Sequence, residues 1–175
     1  MDDYEKMEDL KDALDLARNR GDPEAEAAAL YGIGRLYRQD RDFEAAGEFW
    51  SRCEAVCRES GRDKELAQVL VDLGDLAQAA EDRQKAGERY QEALGLFRTL
   101  GLPQGEARLY DRLGGLALLA DQTDQALGHF QEGLALCRWH DDRIGALFFL
   151  EQVLPLLKAQ GLAAEVDRSY QELVT

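Results

Sequence analysis

"YGIGRLYR" (residues 31–38) places two glycines, Gly32 and Gly34, inside a stretch that otherwise reads as helix. Glycine costs about 1 kcal/mol against alanine in a helix interior, so the pair needs a reason. A Gly-x-Gly can cradle a phosphate, but only where it follows a strand and opens a helix. Register decides the matter. Forty residues on stands "VDLGDLAQ" (71–78), and forty further "DRLGGLAL" (111–118), so Gly34, Gly74 and Gly114 share one column. The same step aligns Ala27, Ala67 and Ala107; Leu36, Leu76 and Leu116; Ala46, Ala86 and Ala126; and Trp50, Tyr90 and Phe130. One register held through so many columns is an internal repeat, and fixed periods of 20–50 residues mark stacked helical or solenoid units.

Each unit reads as two helices. The first carries apolar or small residues at 30, 33, 34 and 37, repeated forty and eighty residues later, which is one face of a 3.6-residue period. The second carries Phe43, Ala46, Trp50, Cys53 and Cys57, with later copies Ala86, Tyr90, Ala93, Phe97 and Ala126, Phe130, Gly133, Cys137. Polar turns separate the two, and the units open on start signals. Asp22 before Pro23 is a cap followed by proline at the first helical position, and Pro103 repeats the proline. The glycines of the buried stripe therefore act as packing devices, where a missing side chain lets the second helix approach closely. No strand is expected.

Stepping back forty residues from Trp50, Cys53 and Gly61 reaches Leu10, Ala13 and Gly21, which predicts a lone second-type helix at 3–20. Full units follow at 24–60, 64–99 and 104–139, and a degenerate one at 142–174, where Val166, Tyr170 and Leu173 continue the columns. That makes about nine antiparallel helices in a single domain. In the last unit Leu154 takes the glycine column, and Pro155 is expected to kink or shorten its first helix.

Composition bounds the function. The net charge is −14, spread along the chain, which disfavours nucleic acid and anionic membranes and favours basic partners. No apolar run is long enough to span a membrane, the first residues lack the character of a signal peptide, and three cysteines suit a reducing compartment; a cytoplasmic location is expected. Cys53, Cys57 and Cys137 fall in buried columns, so no metal site is expected, and nothing calls for a cofactor. Ser51, Ser60 and Ser169 have no histidine partner, so no catalytic residue is assigned. His129 is expected at the surface, and Trp50 and Trp139 in or near the core.

These columns resemble the tetratricopeptide repeat family across essentially the whole chain. Ile33-Gly34, Ala46, Trp50 and Cys53 match its signature, as do Leu73-Gly74, Ala86, Tyr90, Ala93 and Leu113-Gly114, Ala126, Phe130, Gly133. The period of forty instead of 34, with Arg58, Arg98 and Arg138 where a proline usually closes the second helix, resembles the kinesin-light-chain-like branch. The resemblance implies a right-handed superhelix, with a concave groove along the first (A) helices. It also implies a non-catalytic scaffold that binds a peptide or helical segment of another protein. The groove stripe is then 28/31/35/38 and its copies. The candidate lining is Tyr31, Arg35 and Arg38; Val71, Asp72, Asp75 and Gln78; Arg108, Asp111, Arg112 and Leu118; and Phe148 and Glu151. Arg108 and Arg112 resemble the basic pair of the family's carboxylate clamp, but the other clamp positions hold Tyr31, Arg35 and Asp72. Ion pairs Asp72–Arg112 and Arg35–Asp75 are the structural alternative. Two other roles stay open: a chaperone for secreted or assembling clients, and a homo-oligomeric module joined through Tyr4 and Met7 or through Leu173 and Val174.

Overall fold

The computed structural model describes residues 3–161, and side chains from residue 5 onward. These residues form eight α-helices and no strand: α1 (Asp3–Arg20), α2 (Pro23–Gln39), α3 (Phe43–Ser60), α4 (Asp63–Ala79), α5 (Arg83–Leu100), α6 (Pro103–Leu119), α7 (Thr123–Trp139) and α8 (Arg143–Ala159). The expected bounds and the actual ones differ by a residue or so. The ninth expected helix, with Val166, Tyr170, Leu173 and Val174, lies outside the described residues.

The turns follow from local chemistry. Asp22 caps α2 by accepting from the backbone N–H of Glu24 and Ala25, each at 3.1 Å, with Pro23 in the first turn. Asp42 and Asp142 cap α3 and α8 in the same way. Turns from a B helix to the next A helix use glycine in the left-handed region at Gly21, Gly61 and Gly101, where a side chain would be strained. Arg41, Glu81, Asp121 and Asp141 also adopt positive φ, between 55° and 62°, without being glycine. α8 runs through Pro155 at the same 17-residue length as α6, so the proline does not shorten it.

The helices form two compact units, Met1–Leu96 and Phe97 onward, with α5 contributing to both. In the first unit α1 packs on α2, α2 on α3, and α3 on α4; in the second α6 packs on α7 and α7 on α8. The glycine columns set these distances. A Cβ on Gly34 would come within 2.5 Å of Trp50 Cδ1 and Nε1, and one on Gly74 within 2.5 Å of Tyr90 Cε1; Gly114 faces Phe130 in the same way. Trp50, Tyr90 and Phe130 are all fully buried. Each helix-A glycine is thus the slot for the helix-B aromatic of its own repeat. Gly32, the other half of the opening pair, receives Leu10 of α1, 3.0 Å from where its Cβ would stand.

Several expected placements do not hold. Trp139 is 84% exposed, because it is the last residue of α7, beyond the last helix-B position that packs, Cys137. Phe43, at the first residue of α3, is half exposed. Ala13 is exposed, and α1 packs instead through Leu14 and Ala17. His129 is half-buried against Tyr110, with ring centroids 6.5 Å apart, and this burial lowers its pKa.

Candidate functional site

The A-helix stripe of the first unit is organised by one buried carboxylate. Asp72 sits mid-way along α4 and is only 5% exposed. Burying an ionised group is costly unless donors surround it, and three reach Asp72. The Tyr31 hydroxyl donates to Oδ2 at 2.6 Å, Arg38 Nη1 to Oδ1 at 3.0 Å, and Gln68 Nε2 to Oδ2 at 3.2 Å. Tyr31 and Arg38 belong to α2, so the network ties two neighbouring A helices. Burial and the Asp72 carboxylate push the Tyr31 phenol above its usual range, so it remains a neutral donor.

Trp50 supports the same pair from below. Its ring stacks on Tyr31 with centroids 6.2 Å apart, its Nε1 donates to the Tyr31 carbonyl at 3.3 Å, and the Arg38 guanidinium lies 5.5 Å from its ring centroid. Arg38 is therefore held by a charge on one side and a π face on the other, while remaining exposed. Arg35, one turn earlier on α2, is exposed beside a hollow of about 360 Å³ lined by Lys6, Asp9, Leu10, Gly32, Leu36 and Gln39. Further along α4, the Tyr90 hydroxyl donates to Asp75 Oδ1 at 2.7 Å and lies 2.9 Å from Gln78 Oε1. Val71 is buried and belongs to the core, not to the stripe's surface.

The second unit presents a different A-helix stripe. Arg108, Leu118, Phe148 and Glu151 are exposed, and Asp111 and Arg112 are partly so, with Arg112 Nη1 3.6 Å from Asp111 Oδ2. Burial raises the Asp111 pKa, opposed by Arg112. Phe148 stands edge-on to the buried Phe149 at 5.4 Å. The first stripe is thus aromatic and cationic on a polar scaffold, and the second carries apolar anchors among mixed charges.

Two other polar clusters were not anticipated. Glu54 of α3 is buried and receives Arg58 at 2.8 Å and Arg89 of α5 at 2.6 Å, while Arg58 also reaches Glu92 at 2.6 Å. The sequence signal was the acid–base spacing of Glu54 and Arg58, four apart. In the second unit Arg98 hydrogen-bonds the Tyr110 hydroxyl, lies over its ring and stands 3.4 Å from Glu106. The cysteines are all buried. Cys53 Sγ donates to the Ala27 carbonyl at 3.3 Å and stands 4.0 Å from Cys57 Sγ, too far for a bond. Burial raises both thiols, and it pushes Cys137 to about 11. Among the described residues no cluster of histidine, cysteine or acid groups could hold a metal, and no helix is long and apolar enough to cross a membrane.

A tetratricopeptide repeat family model matches residues 25–99 and 65–138. The chain belongs to the tetratricopeptide repeat family. No curated protein sequence matches it significantly. Among solved structures it is similar to BtubC (BKLC) from P. vanneervenii, at 20% identity and a TM-score of 0.74, over 97% of this chain and 73% of that one. A putative kinesin light chain with TPR-like repeats from Podosopora anserina is similar at 13% identity and a TM-score of 0.74, over 98% and 84%. The Rap conjugation gene regulator of plasmid pLS20, in complex with the Phr* peptide, is similar at 17% identity and a TM-score of 0.61, over 85% and 40%. These likenesses show the tetratricopeptide fold, which the repeat columns led us to expect.

Proposed function

We propose that this tetratricopeptide repeat protein is a non-catalytic scaffold that binds a peptide or helical segment of another protein along its A-helix stripes. The observation that carries the reading is the Asp72 network, which fixes Tyr31 and Arg38 on the surface of the first unit. A buried carboxylate with three donors is spent on orienting two surface side chains. Side chains held in place before a partner arrives lose less freedom on binding. The family supports the reading, as does a structurally similar regulator solved with a bound peptide.

The contacts are assigned as follows. On the first unit Tyr31, Arg35 and Arg38 meet polar or acidic groups of a bound segment; on the second, taken by itself, Leu118 and Phe148 take apolar side chains beside Arg108 and Glu151. The protein works in the cytoplasm and needs no cofactor. The test is to pan a displayed peptide library against the purified protein and then measure affinity for the enriched sequences. Arg35→Glu and Phe148→Ser replace exposed side chains, so the helical content stays unchanged. Each variant is expected to weaken the selected peptides at least tenfold. Equal binding by wild type and both variants would remove the A-helix stripes from consideration.

A further inference from the structure

A second hollow opens in the first unit, and none of its lining belongs to the A-helix stripe. It has a volume of about 760 Å³, with a floor of Leu73, Leu76 and Ala77 from α4 and of Ala80, which caps that helix, and with Phe43 of α3 along one side. Gly47 creates it. A Cβ there would meet only Leu76 Cδ1, at 3.6 Å. Two repeats on, the same column holds Leu127, which is buried at 9% exposure. The third repeat fills this column with an aliphatic side chain of its own, whereas the first leaves bare backbone over an apolar floor.

The rim indicates which partner supplies the missing side chain. Glu44 and Glu48 are exposed, four apart on α3, and so project from one helix face beside Gly47. Asp82 adds a third acid, engaged in accepting from the Lys85 backbone N–H at 3.1 Å. Of the two rim cations, Arg52 is drawn over the Phe49 ring at 5.0 Å, which leaves Lys85. A second copy of this chain would bring like charge, since each copy carries −14.

We propose that the hollow over Gly47 is a docking site for a basic segment of another protein, which inserts an aliphatic side chain beside Gly47 and sets lysines or arginines against Glu44 and Glu48. The inference does not depend on the A-helix stripes.

The probe is a fluorescein-labelled peptide of sequence KKLLKKLLKK, compared with its leucine-to-serine counterpart by fluorescence anisotropy at several salt concentrations. The leucine peptide is expected to bind at least tenfold more tightly. Gly47→Leu, which fills the column as Leu127 does, should reduce it to the serine-peptide level while keeping the affinity for peptides selected on the A-helix stripes. Glu44→Gln with Glu48→Gln should weaken it at least threefold and flatten the salt dependence. On the wild-type protein, amide shifts should concentrate at Gly47, Leu76 and Ala80, a readout that holds even if Gly47→Leu fails to fold. Shifts elsewhere, or an unchanged affinity in a folded Gly47→Leu protein, would overturn the proposal. So would binding indifferent to Glu44 and Glu48, which would make the site a plain apolar pocket. A wild-type dimer abolished by Gly47→Leu would assign the hollow to a second copy instead.

Discussion

Replacing Gly34 by alanine tests the packing logic directly, because two effects of opposite sign compete at that position. Alanine improves helix propensity by about 1 kcal/mol. Its methyl group, however, would stand 2.5 Å from Trp50 Cδ1 and Nε1, where van der Waals contact needs about an ångström more. Trp50 cannot easily retreat. It is fully buried, stacked on Tyr31 and hydrogen-bonded through Nε1 to the Tyr31 carbonyl. Overpacking a tight core costs about 1–3 kcal/mol, and an immobile ring places this site at the upper end. Gly34→Ala should therefore destabilise the protein by about 1–2 kcal/mol net. Gly115→Ala is the control, since nothing lies within 4 Å of its would-be Cβ. With no clash to offset the propensity gain, it should stabilise by about 1 kcal/mol. Urea and thermal unfolding followed by circular dichroism read the difference, and each kcal/mol corresponds to about 2–4 °C at this chain length. If Gly34→Ala stabilised the protein as Gly115→Ala does, the glycine columns would not be packing slots, and the explanation of the forty-residue period would fail.

Asp72→Ala should cost about 1–3 kcal/mol, because it leaves the half-buried Tyr31 hydroxyl without its acceptor, whereas Arg35→Ala should stay within about 0.5 kcal/mol as a surface change; denaturant midpoints compare the two. Arg41→Gly relieves a left-handed residue at φ 62° and should stabilise by about 0.5–1 kcal/mol, whereas Gly61→Ala, at φ 67°, should destabilise by about as much. The three buried thiols should resist iodoacetamide in the native protein near pH 8 and react once it is unfolded, as mass spectrometry would show. For Cys137 burial pushes the folded pKa up to about 11, above the ordinary thiol value of 9.0, so the unfolded chain loses its proton first; stability should fall as pH rises through that window and be unaffected below it.

The amino-acid sequence determined the architecture, because the architecture is local and repetitive. A glycine that recurs every forty residues, an aromatic sixteen residues after each, and a capping Asp22 before Pro23 each act within one helix pair, so a linear pattern carries them in full. The same pattern pointed to Tyr31, Arg35 and Arg38 as a surface stripe. Only the tertiary structure decided what lay between elements far apart in the chain. It buried Val71 and Asp72 and drew Tyr31, Arg38 and Gln68 onto one carboxylate; it placed Glu54 between Arg58 and Arg89; and it left Trp139 and Phe43 in water. Helical periodicity assigns a face to within about one position, but a residue at the edge of that face is buried or exposed according to the neighbouring helix that packs against it. The hollow over Gly47 exists for the same reason: its floor is α4, and no reading of α3 alone could show what the missing side chain uncovers.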